Sequence, residues 1–168
     1  MRLRLVLVAL TLLASGCQLS QLQFVADQRL TFEQPKARTQ VTLPLTVRWS
    51  MKGFTASGLD GSSDDKAGIY AVFVDRAPMP AGKDVRWLVR DDQGCAHDPR
   101  CPNAKYLADN GIFLTEEPSI TLSLLPSAPD GVGDEQHYVN VVLLNGAGKR
   151  IGESAWYLPF TTERREVS

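Results

Sequence analysis

The chain has 168 residues, with 18 basic and 19 acidic side chains, a net charge of −1 and three cysteines. This near-neutral balance, with no Lys/Arg run after Cys17, implies neither nucleic acid nor anionic lipid headgroups as partners. The hydrophobic and charged fractions are ordinary for a globular protein, and the length suffices for one domain with its own core.

Met1-Arg2-Leu3-Arg4 carries two positive charges, and Leu5 to Leu13 is apolar apart from Thr11. At ~1.5 Å per residue such a run covers about half of a ~30 Å hydrocarbon core, too little for a transmembrane helix. Charge, a short apolar run and the small residues Ala14-Ser15-Gly16 form the layout of an export signal, and it runs directly into Cys17. This resembles the lipobox of bacterial lipoproteins, with Ala14 where Leu is commoner. The resemblance implies that residues 1–16 are a cleaved signal peptide and that Cys17 is acylated. It also implies that the protein is held by lipid on the extracytoplasmic face of a membrane, at the cell surface or in the periplasm. Two or three acyl chains make a lasting anchor where one does not. An ordinary signal with an incidental cysteine is the alternative.

Residues 17–28 then form a tether. Leu19, Leu22 and Val25/Ala26 recur at a spacing that allows one or two helical turns. Even fully extended it reaches only about 36–40 Å, so the domain sits near its membrane. Over residues 29–162 the chain reads as short strands separated by turns. Leu30 and Phe32 alternate in the first. Val41, Leu43, Leu45, Val47 and Trp49 occupy every second position of the next, which assigns Trp49 to the core, while Pro44 on the other face argues for an edge or a bulge. Ile69–Val74 is apolar on both faces, as in a central strand. Val85, Trp87 and Val89 alternate in a fourth strand.

Cys95 and Cys101 follow. With Cys17 taken by lipid in an oxidising compartment, they read as a local disulfide that stiffens a surface loop shaped by Pro99 and Pro102. A metal site built on Cys95, His97, Asp98 and Cys101 is the alternative, but ligands packed this tightly do not match paired-knuckle zinc spacing. Asn103–Asn110 reads either as a helical turn ended by Gly111 or as the approach to an Asn110-Gly111 hairpin. Ile112–Leu114, Ser119–Leu125, Tyr138–Leu144 and Ser154–Thr161 are further strands, with Asn145-Gly146-Ala147-Gly148 closing the last hairpin. Residues 163–168 form a polar tail.

Seven to eight short strands with brief helical candidates predict an all-β fold, an antiparallel β-sandwich. The layout resembles immunoglobulin-like and fibronectin-III-like domains, although the antibody-type Cys…Trp…Cys staple is absent. The likeness is architectural and brings no site residues with it.

Catalytic sets are not in evidence. No Gly-x-Ser-x-Gly occurs, there are only two histidines, and His97 beside Asp98 reads as a surface residue of a constrained loop. His137, at the start of a strand, reads as a rim residue. Asp60-Gly61-Ser62-Ser63-Asp64-Asp65 fails the EF-hand pattern at its sixth and twelfth positions, leaving a solvated loop or a looser oxygen-ligand site. Asp91-Asp92 and Glu116-Glu117 are adjacent pairs that face opposite ways on a strand. No phosphate loop or dinucleotide fingerprint is present, and no cofactor or structural metal is expected.

The sequence therefore predicts a tethered, non-catalytic interaction module for a protein or cell-envelope component. The alternative is an accessory protein that binds a small molecule, sugar or metal. Strand parity, with Ile112–Leu114 counted inside the cysteine excursion, puts the Asp60–Asp65 loop, the Cys95–Cys101 loop and the Asn145–Gly148 turn at the end where the chain enters. Asp60, Asp64, Asp65, His97, Asp98 and Asn145 are the candidate surface there.

Overall fold

Apolar residues at every second position give each strand one face to bury, and two sheets meet across those faces. The computed structural model describes residues 27–96, 98, 100–125 and 135–162. The expectations for residues 1–26, including Cys17, and for His97 and the 163–168 tail lie outside them. Nine strands are described: β1 Leu30–Gln34, β2 Gln40–Val41, β3 Leu45–Met51, β4 Thr55–Ala56, β5 Ala67–Val74, β6 Ile112–Thr115, β7 Ser119–Leu122, β8 Glu135–Asn145 and β9 Arg150–Thr162. The smaller sheet runs β1-β3-β7. The larger runs β2-β9-β8-β5-β4, with β6 also paired to β5. The fold is an all-β sandwich. Its pairings are antiparallel except at two short edges, where β2 lies parallel to β9 and β4 to β5.

The core between the sheets is built from Val47 and Trp49 of β3, Tyr70, Val72 and Val74 of β5, Val139, Val141 and Leu143 of β8, and Trp156, Leu158 and Phe160 of β9. Trp49 is 1% exposed and meets Tyr70 edge-on at 5.4 Å between ring centroids, so its period-two position is a core position. Burial also raises the pKa of the Tyr70 phenol.

Two strand expectations need correction. The Val41–Ser50 stripe is two strands, because the chain leaves the larger sheet after β2 and enters the smaller at β3. Pro44, which has no N–H to give a ladder, sits at the crossing after a cis Leu43–Pro44 bond. The alternation continues through the crossing because both sheets face one core, and Val41 and Leu43 pack against it.

Val85–Val89 is a 3-10 helix, not a strand. The Asp84 side chain accepts the N–H groups of Arg86 and Trp87 and caps it. Five residues are too few to separate a period of two from a period of three, and the cap decides.

Ile69, Ala71 and Phe73 face away from the sandwich core and would be exposed in a two-layer fold. The segment between β5 and β6 covers them instead. It carries the 3-10 turn, α1 (Gln93–Ala96) and α2 (Ala104–Asp109), and buries Met79 and Leu107 against Phe73, Val142, Leu144 and Ile112. The protein thus has three layers, and β5 is apolar on both faces because it borders two cores. Helix α2 is capped by Asn103, whose side chain accepts the Tyr106 N–H. It ends ahead of Gly111, whose φ of 69° favours glycine and where a Cβ would lie 2.9 Å from the Val74 carbonyl oxygen, so the helical alternative holds over the hairpin.

Arg150 pins this third layer. It is 7% exposed and donates to the carbonyls of Met79, Glu153 (2.8 Å) and Ser154 (3.1 Å). The last two lie where the β8–β9 register shifts between Val141 and Leu143. Burial lowers the guanidinium pKa below its ordinary value.

Candidate functional site

The β3–β5 connection and the β8–β9 turn touch. Asp60 Oδ1 accepts the Ser62 N–H at 2.8 Å and tightens the loop. The Gly61 N–H then donates to the Gly146 carbonyl at 2.9 Å, and the Ala147 N–H to the Ser62 carbonyl at 2.7 Å. A Cβ on Gly146 would fall 1.8 Å from Asp60 Oδ1, so this approach requires glycine. Asn145 is 3% exposed and its Oδ1 accepts the Lys149 N–H, which makes it part of the turn's frame and not of its surface. Asp64 accepts the Lys66 N–H, and Asp65 is exposed.

In the helical layer, Cys95 and Cys101 are bonded with their Cα atoms 5.2 Å apart. Asp92 supports the base of that loop by accepting the Tyr106 hydroxyl (2.7 Å) and the N–H groups of Gly94 and Cys95. The Tyr106 hydroxyl, followed by those two N–H groups, holds the Asp92 carboxyl below its usual range. The same bond raises the Tyr106 phenol. Asp98 accepts the Arg100 N–H and pairs with its guanidinium at 3.4 Å.

The chain enters at the same end. Ser154 Oγ and Trp156 Nε1 donate to Asp27, the latter to its carbonyl, and Leu30 pairs with Met51. Arg29 binds the Asp27 carboxylate with Nη2 at 2.8 Å, and chiefly for that reason the Asp27 pKa is driven far below its ordinary value. Two parity errors cancel here. Val85–Val89 is not a strand, Ile112–Thr115 is, and the strand directions downstream are unchanged. The cysteine loop arrives by another route: its segment crosses the outer face, where Asp84 bridges Lys149 beside the turn, and returns to Gly111 at the far end of β5.

Between these elements lies a cleft of about 700 Å³. Cys101, Pro102 and Leu107 line one side, and Leu59 with Gly146–Gly148 the other. Ile112 and Leu114 of β6 add to its apolar wall, and Asp84, Arg86 and Arg100 are its charged residues. Of the described candidate site residues, Cys101 lines it, together with Pro102 of the same loop and Gly146–Gly148 of the predicted turn. Leu59, Arg86 and the β6 residues were missed. Leu59 alone left a signal, as a large apolar residue in a polar loop, and it is 52% exposed.

A second constellation is internal. His137 is buried, not a rim residue. Its Nδ1 lies 2.7 Å from Asp75 Oδ2, its Nε2 3.6 Å from Glu135, and its ring stacks on Phe160. Asp75 also accepts the Tyr138 N–H, so the pair closes the end of β5 against β8. With its side chain 4% exposed, His137 cannot meet a substrate without opening the fold. Among the described residues, no group of three or more His, Cys, Asp or Glu side chains is placed to hold a metal ion.

Comparison with protein-family models, curated proteins and solved structures gives no match.

Proposed function

We propose that this protein is a non-catalytic binding module, tethered by lipid on Cys17 to the extracytoplasmic side of a membrane, that holds a protein or cell-envelope component in its cleft. The observation that carries the reading is the meeting of three connections around one apolar cleft on a rigid sandwich, the arrangement in which loops commonly bind ligands. Strand order supports an immunoglobulin-like module. Counting A to G along β1, β3, β5, β6, β7, β8 and β9, the small sheet groups A, B and E, and C, F and G are neighbours in the large one. The departures are the fourth strand, β6, which pairs with β5 in the large sheet instead of joining the small one, the helical layer between the third and fourth strands, and the lack of an inter-sheet disulfide. The cleft's volume also falls in the range of small-molecule sites, which keeps a small apolar ligand as the second reading.

A photo-crosslinking residue at position 100, in cells fed a clickable fatty acid, tests both halves. Fatty-acid label on wild type and none on Cys17→Ala is expected. Crosslinks to one defined partner are expected from position 100 and not from Thr46, on the smaller sheet. Equal label in both forms would end the anchor reading, and equal crosslinking from both positions the cleft reading.

A further inference from the structure

We propose that the uncovered outer face of β8 and β9 is a second binding surface, where Tyr138 and Tyr157 stack on the sugar rings of a neutral glycan chain. The proposal does not depend on the cleft, which is lined by other residues.

Alternation along the two strands fixes what this face presents. Val139 and Val141 of β8, with Trp156, Leu158 and Phe160 of β9, point into the sandwich, so their neighbours point out. Those neighbours are Gln136 and Tyr138 on β8, and Ala155, Tyr157, Pro159 and Thr161 on β9. The helical layer stops short of them, since its core takes residues from β5, β6 and β8 but none from β9. Tyr157 is 57% exposed, the most open aromatic side chain among the described residues. Tyr138 packs beside it, with ring centroids 5.5 Å apart and planes inclined by 40°. Because Tyr138 pairs with Pro159, and Asn140 with Tyr157, the two rings meet diagonally across the ladder.

The composition of the face decides its ligand. Charged residues make up 22% of the chain and belong on solvated surfaces, yet none of these outward positions carries one. The face offers aromatic rings with polar tips, an amide and a hydroxyl, and Gln40 lies opposite Thr161 at its border. A pyranose has the matching surface, with C–H groups across its faces for the rings and hydroxyls around its rim for the polar groups. Asn140 closes the helical side: it is buried, and its Nδ2 donates to the Arg76 carbonyl at 3.2 Å. The Arg76 guanidinium is turned to the Asn110 carbonyl at 2.8 Å, within the helical layer. Arg38 is a cation at the opposite rim, where its N–H donates to the Pro159 carbonyl.

Size argues against a protein on this face. From Ala155 to Thr161 the strip is about 20 Å long, and two strands are about 10 Å wide. A protein interface of standard size takes about 800 Å² a side. A single row of sugar rings needs only a strip. Position agrees: the Tyr138 carbonyl accepts the Asp75 N–H, at the end of β5 away from the chain entry. An anchored domain would hold these tyrosines away from its membrane, and that orientation alone rests on the anchor reading.

The test uses the full mature chain, in a detergent without a sugar headgroup, titrated with cellohexaose, chitohexaose, maltohexaose and hexagalacturonic acid. Binding of at least one neutral hexamer is expected, with nuclear Overhauser contacts between sugar C–H groups and both tyrosine rings. Tyr157→Ala should weaken binding by at least about tenfold, the scale of a truncated aromatic anchor, and Tyr157→Phe by far less, because the ring remains. Tyr157 is exposed, so the Ala form should fold with an unchanged melting temperature. If it does not fold, the wild-type Overhauser contacts decide alone. Thr46→Ala, on the smaller sheet, should bind as wild type does. Absence of binding by every neutral hexamer overturns the proposal, as does binding that Tyr157→Ala leaves intact, or binding by the charged hexamer alone. Protein crosslinks from a photo-reactive residue at position 155 that vanish in Tyr157→Ala, with no sugar bound, would assign the face to a protein and overturn it too.

Discussion

Arg150→Met removes the link between the helical layer and β9 while keeping an apolar stem in its place. Three carbonyls lose a charged donor, and hydrogen bonds to charged groups contribute about 1.5–3 kcal/mol each. The sum overstates the loss. Glu153 and Ser154 lie near the surface, where water can replace the guanidinium, and removing a buried charge returns part of its desolvation cost. Met79 is fully buried, so its carbonyl has no such recourse. The net expectation is a loss of ~3 kcal/mol, with Arg150→Lys in between. Guanidinium unfolding, followed by tryptophan fluorescence, measures it. Amide exchange should accelerate at residues 79–84 and 150–154 and stay unchanged in β3. A variant within ~0.5 kcal/mol of wild type would show that Arg150 is not the pin, since surface changes away from such features usually fall in that range.

Trp49→Ala should cost ~3–5 kcal/mol in the same assay, because it empties the centre of the sandwich core; an unchanged melting temperature refutes the core assignment. The depressed Asp27 carboxyl contributes stability that is fully present above the ordinary value near about 3.9 and is lost as pH falls below it towards the folded value. Acid unfolding of wild type should therefore be steeper below about pH 4 than that of Asp27→Asn, and parallel curves would reject the linkage. Reduction should open Cys95–Cys101, raise the intact mass by about two units, and lower stability by no more than ~2 kcal/mol, given so short a loop. Two thiols alkylated without reductant would contradict it.

The sandwich was legible because period-two burial is local: Val47, Trp49, Tyr138–Leu144 and the Asn145–Gly148 turn declare themselves within a few residues. What escaped depends on contacts distant in sequence. The alternation from Val41 to Trp49 gives no hint that its two halves belong to different sheets, since both bury the same face. The third layer was written in the two-sided apolarity of Ile69–Val74, which fits any central strand until one asks what covers each face. The cleft was least legible. Its walls come from residues 59, 84–86, 146–148 and several positions between 100 and 114, ordinary apolar and charged positions brought together by strand directions and by one excursion across a sheet.

Because β5 borders two cores, it acts as a party wall. Tyr70, Val72 and Val74 answer to the opposing sheet, and Ile69, Ala71 and Phe73 answer to the helical cover. Neighbouring residues on one strand thus belong to separate tenancies, and a change at one position is felt on one side only. The segment between residues 75 and 111 can then be rebuilt as a cassette, loops and disulfide included, while the sandwich behind it keeps its packing.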